Sequence, residues 1–142
     1  MGSSEVTLSV IAVNLNGADR LSVLLPSLAE QTYTEFEVVI VDNGSEDGSD
    51  AVARLHGAQW VPLDANVGLA TGLVEGVRQS TGSLLLFVNN DMRFERDFVQ
   101  QLISAKQLFP EAFAIDAVQR DWTGATIVHS AARVARALGH LR

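Results

Sequence analysis

The sequence predicts an α/β protein with a mostly parallel sheet and helices on both faces of that sheet. Apolar segments rich in β-branched residues alternate with amphipathic segments of helical period, in the order βαβαβαβα. The segments 6–13 and 36–42 are almost wholly apolar, which is typical of strands that are covered on both faces. Strands joined by helices in this alternating order normally lie parallel in one sheet.

The first half of the chain predicts two strands and two helices. Residues 6–13 predict a central strand, which is followed by four leucines spaced at i, i+3, i+4 and i+7 from Leu21. This spacing indicates a helix with one apolar face, and Asp19 is its expected cap. Residues 36–42 predict a second buried strand, and the turn cluster "NGSEDGS" leads into a helix expected over residues 47–55.

The second half continues the alternation. "AQWVPL" predicts a short third strand, and residues 66–82 predict a helix with Gly68 near its start and Gly82 just past its end. "SLLLFV" predicts a fourth, buried strand. The next helix is marked by four apolar positions: Phe98, Leu102, Ala105 and Phe109. After Pro110 we expect either a hairpin that turns at Thr123-Gly124 or a single strand, and then a helix that frays.

Composition limits the possible functions. A chain of 142 residues is one domain by size. The net charge of −7 and the single lysine, Lys106, argue against nucleic acid as a partner. The absence of cysteine excludes disulfides, thiolate metal sites and cysteine redox chemistry. The longest apolar run, residues 84–88, is too short for a transmembrane segment, and no signal-peptide pattern opens the chain. We expect a soluble cytoplasmic protein, free or at the inner face of the membrane.

Polar residues collect where the predicted strands end. In open α/β sheets, ligands bind outside the carboxyl ends of the strands, so these residues predict a site for a polar ligand. Because lysine is scarce, a polyphosphate ligand would need a divalent cation, and Asp91 is the expected metal ligand. The cluster comprises Asn14, Asn16, Asp42, Asn43, Ser45, Asp64, Asn66, Asn89, Asn90 and Asp91.

These residues resemble the family 2 glycosyltransferases of the GT-A fold. The resemblance covers residues 8–102, with weaker echoes to residue 132, and it rests on "LSVIAVNLNGADRLSVLLPSLAEQTYTEFEVVIVDNGSEDGS" and "NVGLATG". "FVNND" lies where the family carries its Asp-x-Asp metal motif. Asn89 replaces the first acid there, as in the rhamnosyltransferase-like branch, so Asp91 is the one carboxylate that remains.

The resemblance implies a Rossmann-like, mostly parallel sheet that binds a nucleoside-diphosphate sugar with Mn²⁺ or Mg²⁺ at Asp91. It also implies inverting transfer of the sugar to an unknown glycan, lipid or protein acceptor. In the family Asp42 would contact the nucleobase, Asn14 and Asn16 the base and ribose, and the loop at Asn66 the donor. The donor-binding residues it implies are Asn14, Asn16, Asp42, Ser45, Asn66, Gly68, Asn89 and Asn90.

Each role has a structural alternative. Asp42 could close an Asx-turn, the asparagines after the first strand could simply end it, and Asn66 and Gly68 could form an ordinary turn. Asp91 could belong to a bare turn that ends its strand. Asp47 is a better helix N-cap than ligand. The three histidines, His56, His129 and His140, are expected at the surface or in packing.

Other protein classes fit less well. The loop from Asp42 fails the EF-hand pattern, because Gly44 and Asp47 occupy its third and sixth positions. "NLNGAD" lacks the G-x-G-x-x-G of a dinucleotide-binding domain. By resemblance, a phospho-receiver would need an acidic pair after the first strand and a lysine after the last strand. A sugar nucleotidyltransferase would need a glycine-rich loop that carries basic residues. The sequence has none of these features where the two classes would need them. The open rival is a module of the same fold that binds a nucleotide sugar without transferring it.

By resemblance the chain is a single GT-A domain truncated before the acceptor half of the family. The donor half covers residues 6–109, and residues 110–142 are a partial continuation. Family members carry the catalytic base in the acceptor half, often in an acidic pair. Glu111, Asp116 and Asp121 are the acids left beyond the helix marked by Phe98 to Phe109, and none belongs to such a pair. The catalytic base is therefore unassigned, and we expect binding without transfer.

Overall fold

A computed structural model describes residues 7–129 and contains a four-stranded sheet in which every pairing is parallel. The predicted fold class is thereby confirmed. The spatial order is β3-β2-β1-β4, so the first strand is central, as its apolar sequence indicated. The strands are β1 (Leu8–Asn14), β2 (Phe36–Asp42), β3 (Gln59–Pro62) and β4 (Leu84–Asn89).

Helices connect successive strands, and a small hairpin follows the last helix within residues 7–129. The helices are α1 (Ala18–Ala29), α2 (Ser49–Leu55), α3 (Leu69–Gln79) and α4 (Phe98–Leu108). The hairpin consists of β5 (Gln119–Arg120) and β6 (Ile127–His129), which pair in the antiparallel sense. No helix within residues 7–129 has the length and apolar character needed to cross a membrane.

Helices cover both faces of the sheet. On one face α3 lies against β1 and β2, and a Cβ atom added at Gly76 would come within 2.4 Å of the Ile11 side chain. On the other face, the α1 residues Leu25 and Leu28 line a cavity together with Phe36 and Val38 of β2. The leucine stripe of α1 therefore faces the sheet, as its spacing predicted.

Three helix starts differ from the prediction. Gly17, and not Asp19, is the N-cap residue of α1, and Asp19 lies in the first turn. α2 begins at Ser49, after Gly48, whose φ of 81° is left-handed. α3 begins at Leu69 because Gly68 has a φ of 83°, which no right-handed helix accommodates. Positive-φ glycines set the last two boundaries.

The fourth strand is less buried than predicted. β4 pairs with β1 along one side only, so it forms an edge of the four-stranded sheet. Leu85 and Phe87 alternate with more buried residues and are 40% and 50% exposed. The apolar run "LLLFV" predicted a strand covered on both faces, but a run of this kind does not specify how many neighbours a strand has.

The chain divides into two compact units, Met1–Asp97 and Phe98–Arg142, so the predicted donor half, residues 6–109, extends past the division. In the second unit the predicted hairpin is confirmed. Its turn contains Gly124 with a φ of 74°, and the Gly124 N–H donates to the Asp121 carbonyl at 2.9 Å. The predicted terminal helix and His140 lie outside the described residues.

Candidate functional site

Strand register places the polar residues of three loops at one level. Asn14 pairs with Asp42 across β1 and β2, and Val13 pairs with Asn89 across β1 and β4. Because all three strands are parallel, their carboxyl ends meet at the same edge of the sheet. We call this edge, with Asn14, Asp42, Ser45 and Asn90, the polar rim.

The side chain of Asp42 ends β2 and is almost completely buried. Only 4% of Asp42 is exposed. Its Oδ1 accepts hydrogen bonds from Asn14 Nδ2 at 3.2 Å and from the Ser45 hydroxyl. Its Oδ2 accepts from the backbone N–H groups of Gly44 and Ser45 at 3.2 and 2.8 Å. A carboxylate has about four acceptor positions, and the protein occupies all of them. The Asx-turn considered as an alternative for Asp42 is therefore present.

Asn14 lies at the centre of the polar rim and has no exposed surface. Its Nδ2 donates to Asp42 and, at 3.2 Å, to the Ser45 hydroxyl. Its Oδ1 accepts from Asn90 Nδ2 at 2.9 Å. Asn14 therefore joins the loop after β2 to the loop after β4, and direct contact between Asn14 and a donor stays a prediction.

The loops after β1 and β2 are held together by a reciprocal pair of hydrogen bonds. The Asn16 backbone N–H donates to Ser45 Oγ at 2.8 Å, and Asn16 Oδ1 accepts from the Glu46 N–H at 2.9 Å. Asn16 has a left-handed φ of 47°, which asparagine tolerates better than most residues. The side chain of Asn16 is exposed beside the rim.

Asp47 connects the first turns of two helices. Its Oδ2 accepts from the Ala18 N–H of α1 at 2.9 Å, and its Oδ1 accepts from the Ser49 N–H of α2 at 3.1 Å and from the Ser49 hydroxyl. The hydrogen bonds from Ser49 and then Ala18 hold the pKa of Asp47 below its ordinary value. Asp47 precedes the N-cap residue of α2, Gly48, so the N-cap prediction is wrong in position.

The start of α3 is attached to the rim through Asn43, which belongs to the predicted polar cluster but was not among the predicted donor-binding residues. Asn43 is buried, its Oδ1 accepts from the Val67 N–H at 3.3 Å, and its Nδ2 makes a long bond of 3.5 Å to the Gly68 carbonyl. Asn66 Oδ1 accepts from the Gly68 N–H at 3.0 Å, so the predicted donor loop is an Asx-type turn.

Gly17 is a site residue that the sequence reasoning missed. A Cβ atom added there would lie 2.3 Å from Asn14 Oδ1 and 2.6 Å from Asn90 Nδ2. The φ of Gly17 is −116°, so its backbone does not require glycine. The residue is therefore small because the Asn14–Asn90 hydrogen bond passes beside it, which no sequence pattern indicates.

Asp91 is exposed directly after the rim residue Asn90, and no described residue donates a hydrogen bond to its carboxylate. Asn89, where the family motif has its first acid, is also exposed. Within residues 7–129, no group of three or more acidic, histidine or cysteine side chains could hold a metal ion alone. The donor set therefore fits a hard cation only if a ligand and water complete the coordination, with Asp91 as one oxygen ligand.

A groove of about 410 Å³ opens beside the rim. Trp60, Pro62 and Leu63 line it with apolar surface, and Asp42, Glu46 and Asp50 add acidic groups. An apolar surface beside polar groups suits a flat heterocycle with polar edges. The acidic lining would repel an uncompensated diphosphate.

Two further acids, Glu37 in the first unit and Asp116 in the second, have perturbed pKa values. At the opposite end of β1, Glu37 Oε1 accepts from Ser9 Oγ and from the Thr81 N–H, both at 2.6 Å. Burial raises the pKa of Glu37, but these hydrogen bonds outweigh it and lower the pKa overall. In the second unit, His129 Nε2 lies 2.8 Å from Asp116 Oδ2 and lowers the pKa of Asp116. His129 and His56 are at the surface, as predicted.

A family model and several known proteins are similar to this chain. The family model described as Glycosyl transferase family 2 matches residues 9–130. The uncharacterized glycosyltransferase YfnE of Bacillus subtilis is 35% identical over 104 residues, which cover 70% of this chain and 26% of YfnE. Glycosyltransferase AglE of Haloferax volcanii is 30% identical over 111 residues, which cover 73% of this chain and 36% of AglE. The chain thus spans about a quarter to a third of these curated relatives.

Solved structures share the fold. S. aureus TarS 1-349 in complex with UDP superposes with a TM-score of 0.66 at 27% identity, covering 72% of this chain and 32% of that one. Mannosyltransferase PcManGT from Pyrobaculum calidifontis, in complex with GDP-Man and Mn²⁺, superposes with a TM-score of 0.66 at 25% identity, covering 70% and 32%. These neighbours are GT-A enzymes. With the parallel sheet, the polar rim and a family model matching most of the chain, the protein belongs to glycosyl transferase family 2.

Proposed function

We propose that this chain is the donor-binding part of an inverting glycosyltransferase and holds a nucleoside-diphosphate sugar at the polar rim with Mn²⁺ or Mg²⁺. The observation that carries the proposal is an exposed carboxylate, Asp91, that no described residue engages and that directly follows Asn90 of the hydrogen-bonded rim. The solved relatives that hold UDP, or GDP-Man with Mn²⁺, support it.

Charge explains why the proposal includes a divalent ion. The groove beside the rim is acidic, and the single lysine, Lys106, lies in α4. A diphosphate would meet repulsion there unless a cation lay between the two sets of negative charge. Asp91 would supply one oxygen ligand, and the diphosphate and water would supply the others. Such an ion stabilises the charge of a departing nucleoside diphosphate.

The exposed residues of the loops that follow the strands are the proposed donor contacts. Asn16, Asn66 and Asn89 present side chains at the surface, and Gly68 allows close approach of a ligand to the backbone. Asp42 remains the proposed partner of the nucleobase. Because its four acceptor positions are occupied, a base N–H must replace one donor, and the rotatable Ser45 hydroxyl is the donor that can turn away.

The proposal assigns no catalytic base. Within residues 7–129, Asp116 is paired with His129, and Asp121 accepts from the Thr123 hydroxyl at 2.6 Å inside its own turn. Transfer requires a base within hydrogen-bond reach of the acceptor hydroxyl, which attacks the anomeric carbon from the face opposite the leaving group. The second possibility is that the chain binds the donor without transferring its sugar. The hydrogen bonds that already engage Asp116 and Asp121 favour this possibility.

Calorimetric titration of UDP, GDP and dTDP, each with and without Mn²⁺ or Mg²⁺, tests the proposal. We expect one nucleotide to bind more tightly with the metal, and Asp91→Asn to remove that enhancement with little change in melting temperature, because Asp91 is exposed and makes no internal bond. Glu30→Gln is the matched control, since Glu30 is an exposed acid at the far end of α1. Equal enhancement in Asp91→Asn and the control would reject Asp91 as the metal ligand.

A further inference from the structure

The hydrogen bonds of Asn14 have a fixed direction. A carboxylate can only accept, so the Asn14 amide must turn its NH₂ group toward Asp42 and its carbonyl oxygen away. That oxygen in turn requires a donor, and the Asn90 NH₂ group supplies it at 2.9 Å. The direction set by Asp42 therefore passes through Asn14 and determines which way the Asn90 amide faces.

The hydrogen bond to Asn14 also determines which way the side-chain oxygen of Asn90 faces. With its NH₂ group directed at Asn14, Asn90 presents its carbonyl oxygen away from Asn14, in the residue that directly precedes Asp91. An amide oxygen suits a hard cation or a sugar hydroxyl, whereas an NH₂ group would repel the cation. The orientation of one buried amide thus decides the chemistry offered beside the proposed metal ligand.

We propose that Asn14 is a positioning residue that couples the nucleobase side of the rim, Asp42 and Ser45, to its diphosphate side, Asn90 and Asp91. The inference rests on the proposed function, and it differs from direct ligand binding by Asn14, whose side chain is completely buried. Any ligand that draws on Asp42 or Ser45 changes the acceptors available to the Asn14 NH₂ group. Asn90 then responds although it lies 76 residues further along the chain.

Gly17 offers a way to disturb this relay without removing any of its members. Gly17→Ala would direct a methyl group at Asn14 Oδ1 and Asn90 Nδ2, at 2.3 and 2.6 Å in the unrelaxed structure. Since the Gly17 φ of −116° is open to alanine, the effect acts through the side-chain hydrogen bond and not through backbone strain. Asn14→Ala removes the relay outright.

The control is Ser9→Ala. Ser9 is a fully buried polar residue of the same strand, but at the opposite end, where its hydroxyl donates to Glu37 at 2.6 Å and accepts from the Gly82 N–H at 2.8 Å. Its loss should lower stability without reaching the rim. Comparing the variants separates a general loss of stability from a loss of coupling.

The first measurement is the ratio of nucleotide affinities with and without Mn²⁺, for UDP, GDP and dTDP. We expect Gly17→Ala and Asn14→Ala to reduce the wild-type ratio by about fivefold or more, the lower end of ordinary coupling. Ser9→Ala should change the wild-type ratio by less than about twofold, which is below the lower end of ordinary coupling. An unchanged ratio in Gly17→Ala overturns the coupling even if Asn14→Ala fails to fold.

The second measurement needs no ligand. In NMR spectra of the ¹⁵N-labelled chain, the side-chain NH₂ signals of Asn90 should move, and their protons should exchange faster with water, in Gly17→Ala but not in Ser9→Ala. Unmoved Asn90 signals in Gly17→Ala overturn the relay. If the wild-type chain binds none of the nucleotides more tightly with Mn²⁺, the proposed function and the coupling fall together, while the Asn90 signals still decide whether the relay exists.

Discussion

Asp47 shows how one side chain joins two elements at the residue scale. Its two oxygens accept from the first turns of α1 and α2, where backbone N–H groups have no partner inside the helix. The positive ends of both helix dipoles favour a negative charge at this place. The lowered pKa of Asp47, caused first by Ser49 and then by Ala18, means that the folded chain prefers the ionised form.

We predict that Asp47→Asn removes part of the acid sensitivity of the fold. Because the folded-state pKa lies below the ordinary value of 3.8, the stabilisation by Asp47 is fully present above 3.8 and is lost as the pH falls through the lower folded value. Wild type should therefore melt above Asp47→Asn at neutral pH, with the gap closing in strong acid. Thermal melts between pH 7 and 2 measure this, and a gap that stays constant over that range would contradict it. Glu30→Gln controls for charge.

Asp42 gives a second prediction at the same scale. In Asp42→Ala the N–H groups that Asp42 engages lose their acceptor near the buried end of β2, which should cost about 3 kcal/mol of unfolding free energy. If Asp42 also binds the base, the preference among UDP, GDP and dTDP should shrink as well. Urea unfolding and calorimetry measure the two effects. A loss of stability with unchanged base preference would leave Asp42 a purely structural residue.

At the scale of elements, α3 owes its position to two glycines. A Cβ atom at Gly72 would lie 2.9 Å from a methyl group of Val13, and one at Gly76 would lie 2.4 Å from a methyl group of Ile11. The helix therefore approaches β1 more closely than any side chain would allow. Its position matters to the site, because Asn43 connects the start of α3 to the end of β2.

We predict that Gly76→Ala destabilises the fold by roughly 1 to 3 kcal/mol, the usual cost of overpacking a core. Alanine would normally favour a helix over glycine by about 1 kcal/mol, so a net loss shows that the contact with Ile11 dominates. Val74→Ala, on the exposed side of α3, is the control and should change stability by less than about 0.5 kcal/mol. Chemical denaturation compares them, and a stabilised Gly76→Ala would contradict the tight packing.

At the scale of the whole molecule, every residue of the polar rim and Asp91 lie in the unit Met1–Asp97. The proposed donor contacts all lie in this unit, and the chain covers 26% of YfnE and 36% of AglE. Orientation of an acceptor against a base supplies about 7 to 11 kcal/mol of a transfer barrier. No described residue has been assigned to that task.

We predict that these 142 residues bind a nucleotide sugar but do not transfer the sugar to an acceptor. Incubation with labelled sugar nucleotides, Mn²⁺ and a panel of glycan and lipid acceptors should give slow hydrolysis at most. Product formation at about 1 per second, an ordinary enzymatic rate, would contradict the prediction. Glu111→Gln, Asp116→Asn and Asp121→Asn would then identify the base.

Much of the fold was predictable from local sequence patterns. Apolar β-branched runs predicted β1 and β2, leucine spacing predicted α1, and the Thr123-Gly124 turn predicted the hairpin, all of which are present. These features depend on neighbours a few residues apart, so a sequence displays them directly. Three helix starts and the burial of β4 were predicted wrongly. A backbone angle at Gly68 and the number of strands beside β4 leave no periodic signal in the sequence.

The sequence by itself determined that polar residues end each of the parallel strands, and the resemblance it carries fixed the family. Only the tertiary structure decided which of them touch. Asn14 meets Asp42 across 28 residues and Asn90 across 76, and both contacts follow from strand register. Burial is also set by packing, so Asn14 became an internal residue while Asp91 stayed exposed. Hydrogen-bond partners depend on distances in three dimensions, and the spacing of residues along the sequence does not give those distances.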